Sequence, residues 1–307
     1  MIEQLINYRN EKVIPDVSNL RFTKISTPNR YALHSTLVKY KTQLLWVGGS
    51  VTGVGERWFD YLDGTSWKPM PLLLPEARMC HNTVVVGDKL YLWGGQILNT
   101  LATKMYSYDF ITNSWEDLGV IPSTCAFSDC CVIGNKIYYF GGMITSVSDN
   151  SPAKFLSYEY DITTRIWRDL NIGLSGRMNP GVAVSDEKIF ILGGRRNLNH
   201  IKELWCYDPV TEMLTAKTPP PQAVNGRCQF VNYKGWLILA FGGLTSGDQA
   251  NPICYRYHPV QDKWEQWAPN DSLKRVYAGC AVYGDSIYLF GGFNGSAGLS
   301  DGVLIQP

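Results

Sequence analysis

The 307 residues are 45% hydrophobic and 18% charged, which supplies a sizeable core and excludes general disorder. A formal net charge of +1 excludes nucleic-acid binding through overall charge, and no apolar run is long enough to span a membrane as a helix. The 29 glycines, 18 tyrosines and 10 tryptophans suit many short strands joined by tight turns.

In chain order, residues 1–19 carry no signal-peptide core and read as an extension or linker, followed by one repeat-built unit over 20–307. Leu20-Arg21-Phe22-Thr23-Lys24-Ile25 reads as a lone strand. After it a Gly-Gly pair preceded by an apolar run recurs six times, at 48–49, 94–95, 141–142, 193–194, 242–243 and 291–292. The preceding runs, such as Leu-Tyr-Leu-Trp and Ile-Phe-Ile-Leu, are β-rich and follow turns such as Val-Gly-Asp-Lys. A second signature lies downstream. Tyr108-Asp109 precedes Trp115, Tyr160-Asp161 precedes Trp167 and Tyr257-His258 precedes Trp264, whereas Tyr207-Asp208 ends on Leu214. Polar turn residues between Tyr and the aromatic make this another hairpin, so each period contains four strands.

The double glycine followed by spaced Tyr and Trp resembles the Kelch repeat over nearly the whole chain. The resemblance implies an all-β, six-bladed propeller with four-stranded antiparallel blades around a central channel. One such sheet cannot bury both faces alone, and stacking blades in a ring supplies the neighbour. The sixth repeat ends at Val303-Leu304-Ile305-Gln306-Pro307 without its Trp strand. Residues 20–26 are therefore expected to complete the last blade and close the ring, with Phe22 in the tryptophan's place.

No catalytic, metal or cofactor set can be placed. The histidines His34, His81, His200 and His258 are dispersed, and no Cys-x-x-Cys pair exists among Cys80, Cys125, Cys130, Cys131, Cys206, Cys228, Cys254 and Cys280. Most of these cysteines sit in apolar strand-like runs, which favours buried free thiols and a cytoplasmic location. The iron motif of the plant specifier proteins, which resemble this build, is absent: Arg30, Ala77, Arg196 and Cys254 stand four residues before the histidines. His258 takes the place of the usual Asp after Tyr.

Arginine is the informative residue. Arg30, Arg78, Arg177, Arg227 and Arg275 recur 15 to 18 residues ahead of Gly-Gly, while Cys125 holds the place in the third repeat. If the first strand lines the channel, these five cations ring one mouth. Kelch-type ubiquitin-ligase adaptors use similarly placed arginines to grip acidic peptides, because a guanidinium fork binds carboxylates bidentately. The other use of each arginine is to bond neighbouring loop carbonyls. Arg195-Arg196 follows the fourth Gly-Gly, in the most basic of the loops that share this face. The expected function is thus a non-enzymatic protein-interaction module, such as a substrate receptor or scaffold. Its partner is another protein with an acidic segment, with no nucleic acid or membrane involved. An enzyme or sugar binder at the channel mouth, and actin association, are the competing readings.

Overall fold

The computed structural model describes residues 14–17, 19–26, 32–51, 53–144, 155–197, 199–225, 227, 229–244, 249–267 and 271–307. Six four-stranded antiparallel sheets follow one another around a ring. The second blade is typical: Asn82–Val86, Lys89–Trp93, Lys104–Asp109 and Ser114–Val120 run inside to outside in chain order. The innermost strands are Thr36–Tyr40, Asn82–Val86, Asp129–Ile133, Gly181–Ser185, Phe230–Tyr233 and Gly279–Tyr283. Each touches the innermost strand of the blade before and after it, and Gly279–Tyr283 returns to Thr36–Tyr40, so the ring is closed.

Closure comes from the N-terminal strand, as the sequence predicts. Arg21–Ser26 pairs antiparallel with Asp301–Gln306, with Phe22 opposite Ile305. The Phe22 ring lies 4.9 Å from Trp267 and 5.9 Å from Phe241, so it fills the seam against the fifth blade. The packed unit starts earlier than residue 20, however. Val17 and Leu20 are buried with Tyr233 and Trp236, and the Trp236 indole N–H donates to the Pro15 carbonyl at 2.8 Å. Ile14 lies against Gly235. The extension expected over 1–19 is therefore docked on the fifth blade from residue 14, because Ile14, Val17 and Leu20 find apolar surface there. Residues 1–13 lie outside the described residues.

The Tyr-to-Trp spacing is a register. Tyr108, Tyr160, Tyr207 and Tyr257 sit directly opposite Trp115, Trp167, Leu214 and Trp264 across the outer hairpins. The tyrosines are the buried anchors, at most 2% exposed, while the tryptophans and Leu214 are half-buried covers. Asp109 turns each such hairpin by accepting from the N–H groups of Ile111 and Thr112 at 2.8 and 3.0 Å, and Asp161 and Asp208 do the same. His258 substitutes for the aspartate: its Nδ1 accepts from the Gln261 N–H at 3.2 Å.

Candidate functional site

Because each innermost strand runs from the Gly-Gly end to its hairpin, all lead-in segments and Gly-Gly loops share one face, hereafter the upper face. The double glycine joins blades there. In the second blade Gly94 and Gly95 have φ of 64° and 91°, and Gly95 N–H donates to the Cys125 carbonyl of the third blade at 2.6 Å. A Cβ on Gly94 would meet that carbonyl oxygen at 2.5 Å, and one on Gly95 would meet the Met79 carbonyl at 2.5 Å. A side chain at either place is excluded by backbone, not by a neighbour that can move.

Two residues before the innermost strand, another set repeats. His34, Cys80, Phe127, Asn179 and Tyr277 all have φ between 55° and 60°. The N–H groups of four of them donate to the counterpart's carbonyl one blade back: His34 to Tyr277, Cys80 to His34, Phe127 to Cys80 and Asn179 to Phe127, at 2.7 to 3.0 Å. These links form a belt of backbone hydrogen bonds around the mouth. The fifth blade's stretch between Asn225 and Gln229 includes Cys228, which lies outside the described residues. Side chains from the belt converge on the axis, where the His34 ring stands 4.2 Å from Tyr277 and 5.2 Å from Phe127. Below them is an axial cavity of about 320 Å³ lined by all six innermost strands, with Thr36, His81, Thr83, Asp129 and Cys130 among its polar or thiol-bearing walls.

The sequence-selected arginines separate into distinct places. Arg78, Arg177 and Arg275 are at most 1% exposed, and each guanidinium donates to the carbonyl of the Gly sixteen residues on: Gly94, Gly193 and Gly291. Each also pairs with a carboxylate: Arg78 with Glu76, Arg177 with Glu203 at 2.9 Å and Arg275 with Asp301 at 2.9 Å. These three hold the wall of the mouth and present no open guanidinium to a ligand, so the expected five-membered cationic ring is not what the described residues form. Ala32 and Cys125 take the equivalent place in the first and third blades, both fully buried, and burial pushes the Cys125 thiol up to about 12. Arg30 lies outside the described residues.

Arg227 does something different. The fifth blade is one residue out of step: Phe241 and Gly242, with φ of 69° and 101°, take the backbone place that Gly-Gly holds elsewhere, and Gly243 has no positive φ. Asn225 and Gly243 pair, Gln229 accepts from Ala240 N–H, and three residues fill a gap that two fill elsewhere. Arg227 sits in that gap and reaches across the mouth, donating through Nε to the Ser128 carbonyl at 2.9 Å and through an NH2 group to the His81 carbonyl at 2.7 Å. Arg195, half-buried, begins the fourth Gly-Gly loop and exchanges backbone hydrogen bonds with Met178, and its guanidinium lies 3.9 Å from the Met178 sulfur. Arg196 is exposed. Burial, then the charges of Arg227 and Arg195, push the His34 imidazole down to about 3, so the ring is neutral at physiological pH. Arg195, Arg227 and His34 are thus neighbours at the mouth. Sequence reasoning found the two cations but not the aromatic belt, whose only signal is its constant position fourteen residues ahead of Gly-Gly.

The Kelch-repeats domain described as KLHDC2/KLHL20/DRC7 matches residues 33–230. The chain belongs to the Kelch-repeat family. It is similar to beta-scruin of Limulus polyphemus, 28% identical over 153 residues covering 48% of this chain and 16% of that protein. Kelch-like protein 25 of Xenopus tropicalis is 26% identical over 73% of this Kelch chain and 38% of its own length. The N-(sulfonatooxy)prop-2-enimidothioate sulfolyase of Thlaspi arvense is 26% identical over 72% and 53%. The chain thus spans less than two thirds of each of these relatives. Among solved structures, YjhT superposes with a TM-score of 0.77 over 92% of this chain and 96% of that one, at 18% identity, which shows the shared fold. Among the described residues, no helix is long and apolar enough to cross a membrane.

Proposed function

We propose that this chain is a non-enzymatic protein-interaction module, a substrate receptor or scaffold of the cytoplasm, that takes a short acidic segment of a protein partner on its upper face. The observation that carries the reading is the cationic side of the mouth, where half-buried Arg195 and exposed Arg196 open the fourth Gly-Gly loop and buried Arg227 spans the opening to the Ser128 and His81 carbonyls. Arg196 extends the same cationic strip into solvent. A carboxylate set there would meet guanidinium groups in a partly desolvated place, where charge-assisted hydrogen bonds are strongest. Arg78, Arg177 and Arg275 serve the site indirectly, by fixing the loops that shape it. Seven described cysteines are free thiols, which supports a reducing compartment.

Fluorescence polarisation with a labelled Asp/Glu-rich dodecapeptide and its Asn/Gln counterpart tests this. The acidic peptide binds the wild type, more weakly as salt rises, and Arg195→Ala/Arg196→Ala lowers affinity roughly tenfold at an unchanged melting temperature. Equal binding of both peptides sinks the reading.

A further inference from the structure

The upper face is not uniform. Among the described residues, the large hydrophobic side chains left exposed on it are Val54, Leu72, Leu73, Leu98, Val120 and Ile144, all on the first three blades or their connections. The other exposed ones, among them Ile111, Val210 and Val260, sit on outer hairpins facing the opposite way. Leu98 is the tip of a short hairpin whose base pairs Gln96 with Leu101, and Gln96 in turn bridges Met79. Ile144 follows Met143, which bridges Ala126. Beneath these tips Cys80, Ala126, Met143 and Met178 form one cluster, with Met79, Leu101 and Phe127 half-buried against it.

Three thioethers from three successive blades therefore underlie an apolar patch beside the mouth, with Met79 half-buried at its surface and Met143 and Met178 buried beneath it. Methionine is unbranched and polarizable, so such a floor adapts to the side chain pressed on it. The patch ends on a charge: Met178, its last methionine, is the residue whose sulfur lies 3.9 Å from the Arg195 guanidinium. Apolar surface with a cation at one edge matches a segment carrying a large apolar residue next to a carboxylate. We infer that the second to fourth blades hold the recognition pocket, in which a large apolar side chain of the partner seats over Met79, Met143 and Phe127 between Leu98 and Ile144 while a neighbouring Asp or Glu meets Arg195. This rests on the acidic-segment reading above and adds the apolar anchor that would set specificity, since a salt-screened charge alone discriminates little.

The test is selection of a phage-displayed random dodecapeptide library on the immobilised protein, with affinities of enriched peptides measured by fluorescence polarisation. The expected winners pair Leu, Ile, Phe or Trp with Asp or Glu within about four residues, the reach of one side-chain spacing on a short segment. Leu98→Asp and Ile144→Asp should each weaken them about tenfold or more. Both positions are exposed, 65% and 43%, so melting temperatures should stay at the wild-type value and separate lost binding from lost fold. Acidic winners without a large apolar residue would overturn the pocket and leave the cationic reading standing. Apolar winners indifferent to salt would overturn the pairing with Arg195 and the cationic reading with it. A wild type that sediments as a dimer, made monomeric by Leu98→Asp, would also overturn the inference, because a second copy would then cover the patch.

Discussion

The fifth blade and the other five solve the same problem differently. In the second, fourth and sixth, a buried arginine sixteen residues ahead of the double glycine ties the lead-in to the Gly carbonyl. In the fifth, Phe241-Gly242 makes the turn and Val224 holds the wall place, its carbonyl accepting from Gly194 N–H as the Arg78 carbonyl accepts from Gly49 N–H. Arg227 stands three residues further on, in a gap one residue longer, and spans the mouth toward the second and third blades. The arginine is a brace within a blade in the first case and a tie across the ring in the second. Arg227 stays buried, 4% exposed, but its charge sits at the mouth instead of in the wall.

The largest expected effect breaks the comparison at the glycines. Gly95→Ala should lower stability by about 3 kcal/mol, adding the left-handed penalty to a backbone clash. Gly243→Ala, at the second glycine of a pair written identically in sequence, should stay within about 1 kcal/mol, since Gly243 lacks a positive φ and a Cβ there meets nothing closer than 3.2 Å. Equal losses on chemical denaturation would mean that the fifth blade is not shifted.

Next in size is Arg227→Ala, which removes two charge-assisted hydrogen bonds and should cost about 2 kcal/mol. The variant has a second signature. Losing a nearby cation must raise the His34 pKa from about 3 toward the ordinary histidine value. Because the folded value is depressed, His34 costs stability as pH falls below about 6.5, and the variant should lose less across that window. An NMR titration of the His34 ring that is unmoved by the substitution would place Arg227 elsewhere.

The smallest effect concerns the wall. Burial opposes the charged form of Asp301, but the hydrogen bond from Lys24 and the charge of Arg275 outweigh it and hold the carboxyl below its usual range. Its contribution is therefore present above about pH 4 and lost as pH falls through the folded value. Asp301→Asn should be less stable at pH 7 by about 1–3 kcal/mol and should flatten the acid limb of the stability curve. An acid limb as steep as the wild type's would show that the Arg275 pair carries none of it.

Much of the architecture was legible because its signals are local. Gly-Asp turns, Tyr-Asp hairpins and glycines against backbone each depend on a few neighbouring residues, and six copies reinforce one another. Ring closure was legible too, since a missing strand at one end and a spare strand at the other leave few alternatives. The docking of residues 14–20 was not. Three apolar residues in a short tail show no period, and only packing against Tyr233 and Trp236 of the fifth blade gives them a place.

What the sequence by itself determined, then, is the repeat: the number of blades and their strand order. Only the tertiary structure decided which arginine does what. Fifteen and sixteen residues ahead of a glycine look interchangeable in a sequence. In the folded fifth blade Val224 takes the wall place and Arg227 follows three residues later in a turn, so its guanidinium crosses the mouth where the others brace their own blades.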